Sequence, residues 1–155
     1  MTDLRKTKGR RPISREMFSE SDHTRFWAKV RVNPENGCWE WTGNTLRKYG
    51  RFKFRNSSYL AYRCSYALVV GQTPVDTLEL DHLCRNPLCV RADHLEAVPH
   101  KTNVLRGESP SALHARKTKC RCGRDFTPCV LSSGKKIRTC IPCRREKDRE
   151  RTRAA

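Results

Sequence analysis

This sequence of 155 residues predicts two small modules of mixed α and β structure, α+β in class and too sparse in core residues to fold on aliphatic packing alone. Three observations carry that expectation. Hydrophobic residues make up only 36% of the chain, which leaves no material for one large core. Nine cysteines are spread through this polar background, and five of them lie beyond residue 116. Between the two halves the composition shifts at Gly107-Glu108-Ser109-Pro110-Ser111, a stretch with the make-up of a linker. Small chains of this kind need cross-links, and nine cysteines cannot all pair within one chain, so metal ligation is the expected use.

The charge names the kind of partner. Lys and Arg number 33 against 16 Asp and Glu, a formal net charge of +17, which suits a polyanion. No apolar run approaches the ~18 residues of a membrane span, so no membrane is expected as a partner. The opening MTDLRKTKGRR lacks the apolar stretch of a secretory signal. An intracellular, cytoplasmic location follows as an expectation, and there clustered cysteines bind metal more often than they form disulfides.

Residues 1–20 read as a basic, flexible arm, because Arg5, Lys6, Lys8, Arg10, Arg11 and Arg15 have little apolar surface beside them to offset the entropy of ordering. Ser21-Asp22 is a cap signal for a helix through Phe26, Trp27 and Val30. Asn33-Pro34-Glu35-Asn36-Gly37 is a turn, and Cys38-Trp39-Glu40-Trp41-Thr42-Gly43 begins a β region. Tyr49-Gly50-Arg51-Phe52-Lys53-Phe54 alternates as a half-buried strand does, with Arg51 and Lys53 on the face that would meet a phosphate backbone. Residues 58–70 read as a helix stopped by Gly71 and Pro74. Residues 78–82 and 94–98 read as two strands around a loop, and Pro99 opens a helix that runs to Gly107.

The sharpest pattern is H-x-C-x4-C-x4-H-x8-N, formed by His82, Cys84, Cys89, His94 and Asn103, with Asp81 directly before it. CWEWTG, YGRF, AYR, DHLCRNPLC and HLEAVPHKTNVLRG follow in order along the chain. This ordered set resembles the HNH, or ββα-metal, endonuclease family, and is most similar to phage HNH proteins and to homing endonucleases with a zinc-bearing His-Cys box. The resemblance runs from about Cys38 to Gly107. It implies a ββα-metal fold over residues 21–108 and a DNA phosphodiester hydrolase leaving 5′-phosphate and 3′-hydroxyl ends. His82 would be the general base, since a neutral imidazole titrates near 6.5. Asp81 and Asn103 would supply hard oxygen ligands to one catalytic Mg²⁺ or Mn²⁺. Arg63 matches a family arginine that faces the reacting phosphate. Cys84, Cys89 and His94 are three ligands for a structural Zn²⁺, which wants four. The resemblance supplies Cys38 as the fourth. His100, one helical turn before Asn103, reads as a surface residue near that centre, and Cys64 as a plain buried thiol.

Beyond a linker at 109–118, residues 119–147 read as a zinc-ribbon-like module ending in a charged tail, 148–155. Cys120-x-Cys122 and Cys140-x2-Cys143 frame a 17-residue gap holding Cys129 and the turn Ser132-Ser133-Gly134. A second Zn²⁺ is expected there, giving two per chain, with Cys129 in reserve for Cys122 and His114 a weaker candidate. Similar phage modules carry a histidine where Arg124 stands. Lys119, Arg121, Lys135, Lys136, Arg138, Arg144 and Arg145 crowd this module and suit contact with double-stranded DNA. The functional expectation is a phage or mobile-element endonuclease acting in the cytoplasm of an infected bacterium, as monomer or homodimer. Its rivals are a non-catalytic zinc-dependent DNA-binding regulator that keeps the fold, and an RNA-directed nucleoprotein role.

Overall fold

The computed structural model describes residues 12–154 and has mixed α and β structure divided into two compact units, one ending at Asn103 and the other beginning at Val104. The first eleven residues of the expected basic arm lie outside the described residues.

In the first unit, helix α1 (Glu20–Trp27) is capped by Ser19, two residues before the Ser21-Asp22 signal. Ser19 Oγ accepts from the Asp22 amide and the Asp22 carboxylate accepts from the Ser19 amide, a reciprocal cap that satisfies two otherwise open donors. The helix ends before Val30, because Val30 opens strand β1 (Val30–Val32), antiparallel to β2 (Trp39–Trp41) with Val30 opposite Trp41. A second sheet holds β3 (Thr45–Leu46), β4 (Tyr49–Phe54) and β5 (Ser57–Leu60) in that order. Arg55 and Asn56, both left-handed, make the tight turn between β4 and β5. Helix α2 (Ala61–Val70) therefore starts three residues later than the apolar run from 58 predicts. Tyr59 is drawn into β5 opposite Phe52, and its ring packs 4.6 Å from Phe54. Gly71, at φ +111°, closes the helix as expected.

The core between these elements is aromatic. Phe26 is fully buried, with Trp41 at 5.0 Å and Phe52 at 5.1 Å between ring centroids. Gly50 permits this packing, since a Cβ there would lie 2.5 Å from Trp41 Cδ1. Residues 13–18, part of the segment read as a flexible arm, belong to this core instead. Ile13 and Phe18 are buried, Phe18 stacks on Phe54 at 4.2 Å, and Ile13 exchanges hydrogen bonds with Thr73. The Arg15 guanidinium donates to the carbonyl of Leu68. Two apolar side chains among the arginines are enough to anchor the segment.

Strand β6 (Leu78–His82) pairs with β7 (Leu95–Pro99) from Leu78 opposite Pro99 to His82 opposite Leu95. Helix α3 (His100–Arg106) follows directly and spans the division between the units. The loop joining the hairpin is stitched to β2: Trp41 donates to the Leu88 carbonyl at 3.0 Å and Val90 to the Trp39 carbonyl at 2.7 Å.

In the second unit, residues 110–116, within the stretch read as a linker, form helix α4 (Pro110–Arg116), capped by Ser109. Strands β8 (Thr127–Val130) and β9 (Lys136–Thr139) make an antiparallel hairpin. Helix α5 (Ile141–Arg153) continues through most of the expected charged tail.

Candidate active site and metal centres

Asp81 and His82 end strand β6, where the hairpin opens into its loop, and both are buried, at 4% and 8% exposure. His82 Nε2 lies 3.1 Å from the Cys89 carbonyl. A carbonyl can only accept, so Nε2 carries the proton and Nδ1 keeps the lone pair. The ring is held edge-on to Tyr62 at 4.8 Å, with Tyr49 at 6.2 Å. Burial pushes the His82 pKa below its ordinary value, opposed by the carbonyl bond and by the neighbouring Asp81 charge. A neutral imidazole at neutral pH with its Nδ1 as acceptor is the result. Asp81 Oδ1 accepts from Arg85 Nη1 at 2.8 Å.

Asn103 reaches this region from α3. Its Nδ2 donates to Glu79 Oε2 at 2.8 Å, and the other oxygen of Glu79 lies 3.0 Å from His100 Nδ1. With the amide nitrogen committed to Glu79, Oδ1 is the ligand atom that Asn103 offers a cation. Glu79 escaped the sequence reading, although its signal was present: in Leu78-Glu79-Leu80-Asp81 it falls two residues before Asp81, on the same strand face. His100 remains largely exposed and joins the cluster through Glu79. Arg63 sits on α2, 6% exposed, with a buried Nε that has no hydrogen-bond partner among the described residues. Tyr62, the residue before it, is the one that flanks His82.

Two ligand clusters stand out. Cys38, Cys84, Cys89 and His94 present donor atoms that all lie within 4.8 Å of one another, and so do Cys120, Cys122, Cys140 and Cys143. A zinc tetrahedron with Zn–S about 2.3 Å and Zn–N about 2.0–2.1 Å has S···N edges of about 3.5–3.6 Å and S···S edges of about 3.8 Å. His94 Nδ1 is 3.6 Å from the sulfurs of both Cys38 and Cys89. In the second cluster Cys120 and Cys143 are 3.8 Å apart and Cys122 and Cys140 3.5 Å. Both donor sets can thus close on a zinc ion with little movement. Cys38 comes from the edge of β2 and the other three from the β6–β7 loop, so a metal here would tie the β6–β7 hairpin to the N-terminal sheet. Burial raises the Cys38 thiol and pushes Cys89 up to about 12. The exposed Cys122 is lowered to about 6, first by its bond to the Arg124 backbone and then by neighbouring sulfurs. Cys129 lies in β8 opposite Ile137, outside the four sulfurs that converge, and Cys64 is buried in α2.

The basic residues divide. Arg51 and Lys53 alternate with buried Phe52 and Phe54 on the outward face of β4. Lys119, Arg121, Lys135, Lys136, Arg144 and Arg145 are exposed in the second unit. Arg138 is already engaged: it donates to carbonyls of His114, Ala115 and Lys117 at the end of α4 and lies over Phe126. No helix among the described residues is long and apolar enough to cross a membrane.

Residues 59–105 match the family described as HNH endonuclease. That segment contains Arg63, Asp81, His82, Cys84, Cys89, His94 and Asn103, and it stops before the second cysteine cluster. HNH nucleases use a divalent metal and act on DNA. Over 69 residues the chain is 38% identical to Protein 2.8 of Escherichia phage T7, an alignment covering 44% of this chain and 47% of that relative. The chain thus matches less than half the length of this relative. No solved structure matches it.

Proposed function

From the HNH match we propose that this protein is a metal-dependent DNA endonuclease that hydrolyses phosphodiester bonds to 5′-phosphate and 3′-hydroxyl ends. One observation carries the reading: a buried, neutral histidine whose Nε2 is tied to the Cys89 carbonyl, beside a carboxylate and on the same hairpin-helix unit as an asparagine whose amide is oriented by Glu79.

The residues divide the work. His82 Nδ1 takes the proton from the water that attacks phosphorus, and the Cys89 carbonyl steadies the imidazolium that forms. Tyr62 and Tyr49 fix the ring's plane, so the lone pair is aimed before substrate arrives. Asp81 and Asn103 would hold the catalytic cation; two hard oxygens leave room for water and phosphate around an octahedral ion. Mg²⁺ or Mn²⁺ bound there supplies positive charge to the phosphate and to the leaving oxygen. Arg63, a buried cation with an unbonded Nε, would meet negative charge brought in by the substrate, which offsets the cost of its burial. The two structural zinc ions would lie outside the chemistry and keep its parts in register.

The test is a supercoiled plasmid incubated with the full chain and Mg²⁺ or Mn²⁺. Nicked or linear product is expected, and His82→Ala should lower the rate by roughly 10²–10⁴-fold, the range for losing a general base. A shifted but uncut band with both metals would overturn the nuclease reading in favour of a DNA-binding regulator. Cleavage confined to RNA would overturn the choice of substrate.

A further inference from the structure

A basic groove of about 620 Å³ lies on the outer side of the first unit's three-stranded sheet, bounded by Arg25, Lys29, Asn44, Arg51, Lys53 and Asn56. Four of the groove's nine lining residues are cations, and no carboxylate lines it among the described residues. Two of the cations are held in place. Arg25 pairs with Asp22 at 2.6 Å, donates to the Lys53 carbonyl at 2.9 Å and lies 4.9 Å above the Phe52 ring. Arg51 donates through Nε to Ser58 Oγ at 2.8 Å. Side chains fixed in this way lose less freedom on binding, so the groove is preorganised for an anion.

Its direction gives it meaning. Phe52 and Phe54 point into the core, so Tyr49, Arg51 and Lys53 share the outward face of β4. Tyr49 is the residue whose ring lies 6.2 Å from His82. Residues two apart on a strand are separated by about 6.6–6.8 Å, so the face runs about 13 Å from Tyr49 to Lys53. A row of cations of this length can meet more than one phosphate of a DNA strand. A lone phosphate would fill only one position in such a row.

We propose that the outward face of β4, with Arg25 and Lys29 beside it, is a track for the backbone of duplex DNA flanking the bond that is cut. The track positions the substrate without reading its bases, since it meets phosphate alone. The position of the cut relative to the track rests on the nuclease reading above; the binding surface itself does not.

The experiment separates the two. In the full chain carrying His82→Ala, so that nothing is cleaved, affinity for a short DNA duplex is measured against salt concentration. Adding Lys29→Gln and Lys53→Gln should lower the slope of log affinity against log salt by about 2, roughly 0.9 for each phosphate that is no longer neutralised, and weaken binding roughly tenfold or more at 0.15 M salt. Lys29→Arg with Lys53→Arg keeps the charges and should retain the parent slope, which separates the removal of charge from damage to the fold. An unchanged slope in the glutamine pair would overturn the proposal. So would a slope change seen on duplex RNA and absent on DNA. If plasmid cleavage fails while the slope drops as expected, the nuclease reading falls and the track stands.

Discussion

The two units hold their cysteine clusters in opposite circumstances. In the first, Phe26, Trp41, Phe52, Phe54 and Tyr59 form an aromatic core built without any metal ligand among them, and the Cys38 cluster joins one further hairpin to it. In the second, the buried hydrophobic residues among those described are Ala112 and Cys140, and one of the two is itself a ligand. Similar ligand geometry therefore has different consequences. Around Cys140 a metal would be the core; around Cys89 it would place His82 relative to a core already built. The aromatic rings of the first unit each contribute burial that costs about 3–5 kcal/mol to remove, and the second unit has no equivalent.

Removing zinc is the widest way to break this comparison. Structural zinc in small modules contributes apparent energies of ~10–16 kcal/mol, more than the net stability of many whole domains. On chelation, or in Cys140→Ser, amides of β8, β9 and α5 should lose hydrogen-exchange protection completely. Amides of β4 and α2 should keep most of theirs under the same treatment. In Cys89→Ser the β6–β7 hairpin should open to exchange while the second unit stays folded. Protection of α5 that survives metal removal would show that the second unit has some other source of stability.

What was legible in the sequence follows the range of the interactions. The hairpin and helix around His82 were readable because their signals are local: alternation in Leu78-Glu79-Leu80-Asp81, a proline before α3, and ligands at fixed spacing. Cys120, Cys122, Cys140 and Cys143 were readable for the same reason. Residues 13–18 were misread because their partner, Thr73, lies 60 positions away from Ile13. The start of α2 was misplaced because Tyr59 obeys its cross-strand neighbour Phe52 and not the helical period of the residues after it. Composition also hid α4, whose Ser109 cap followed by Pro110 is a helix start as well as the vocabulary of a linker. Glu79 had a visible position on the Asp81 face, but its bond to Asn103, 24 residues on, exists only in the fold.

That bond gives a smaller and sharper test of the proposed cation site, confined to the first unit, where a hydrogen bond orients the oxygen that Asn103 would offer. Glu79→Ala removes the acceptor that turns the Asn103 amide, leaving Oδ1 free to rotate away. Outer partners of metal ligands are worth about 10–100-fold in metal affinity. The Mg²⁺ concentration for half-maximal nicking should rise by roughly that factor, with much of the rate recovered at high Mg²⁺. Glu79→Gln keeps an oxygen for the Asn103 amide and should fall between the two. An unchanged Mg²⁺ dependence in Glu79→Ala would sink this role while leaving the zinc comparison untouched.

The smallest expected effect is a displacement on the pH axis, and it distinguishes a buried base from an exposed one. Free histidine titrates near 6.5, and burial holds His82 below that value in the folded chain. A cation held by Asp81 pushes in the same direction, because it disfavours the imidazolium. In the proposed reaction the cleavage rate needs the neutral ring, so its plateau should extend to pH values below 6.5 and fall only as pH drops through the lowered pKa. Stability carries the matching sign. Below about 6.5 the unfolded chain binds a proton at His82 that the folded chain resists, so the unfolded state gains and stability declines as pH falls through this window. Above it the residue makes no difference to the pH dependence. In His82→Ala this part of the acid destabilisation should vanish from denaturant titrations, even though the variant no longer cuts. A rate profile with its midpoint at 6.5 would mean that the imidazole is solvated, and a midpoint above 6.5 that the Cys89 carbonyl bond and the Asp81 charge outweigh its burial.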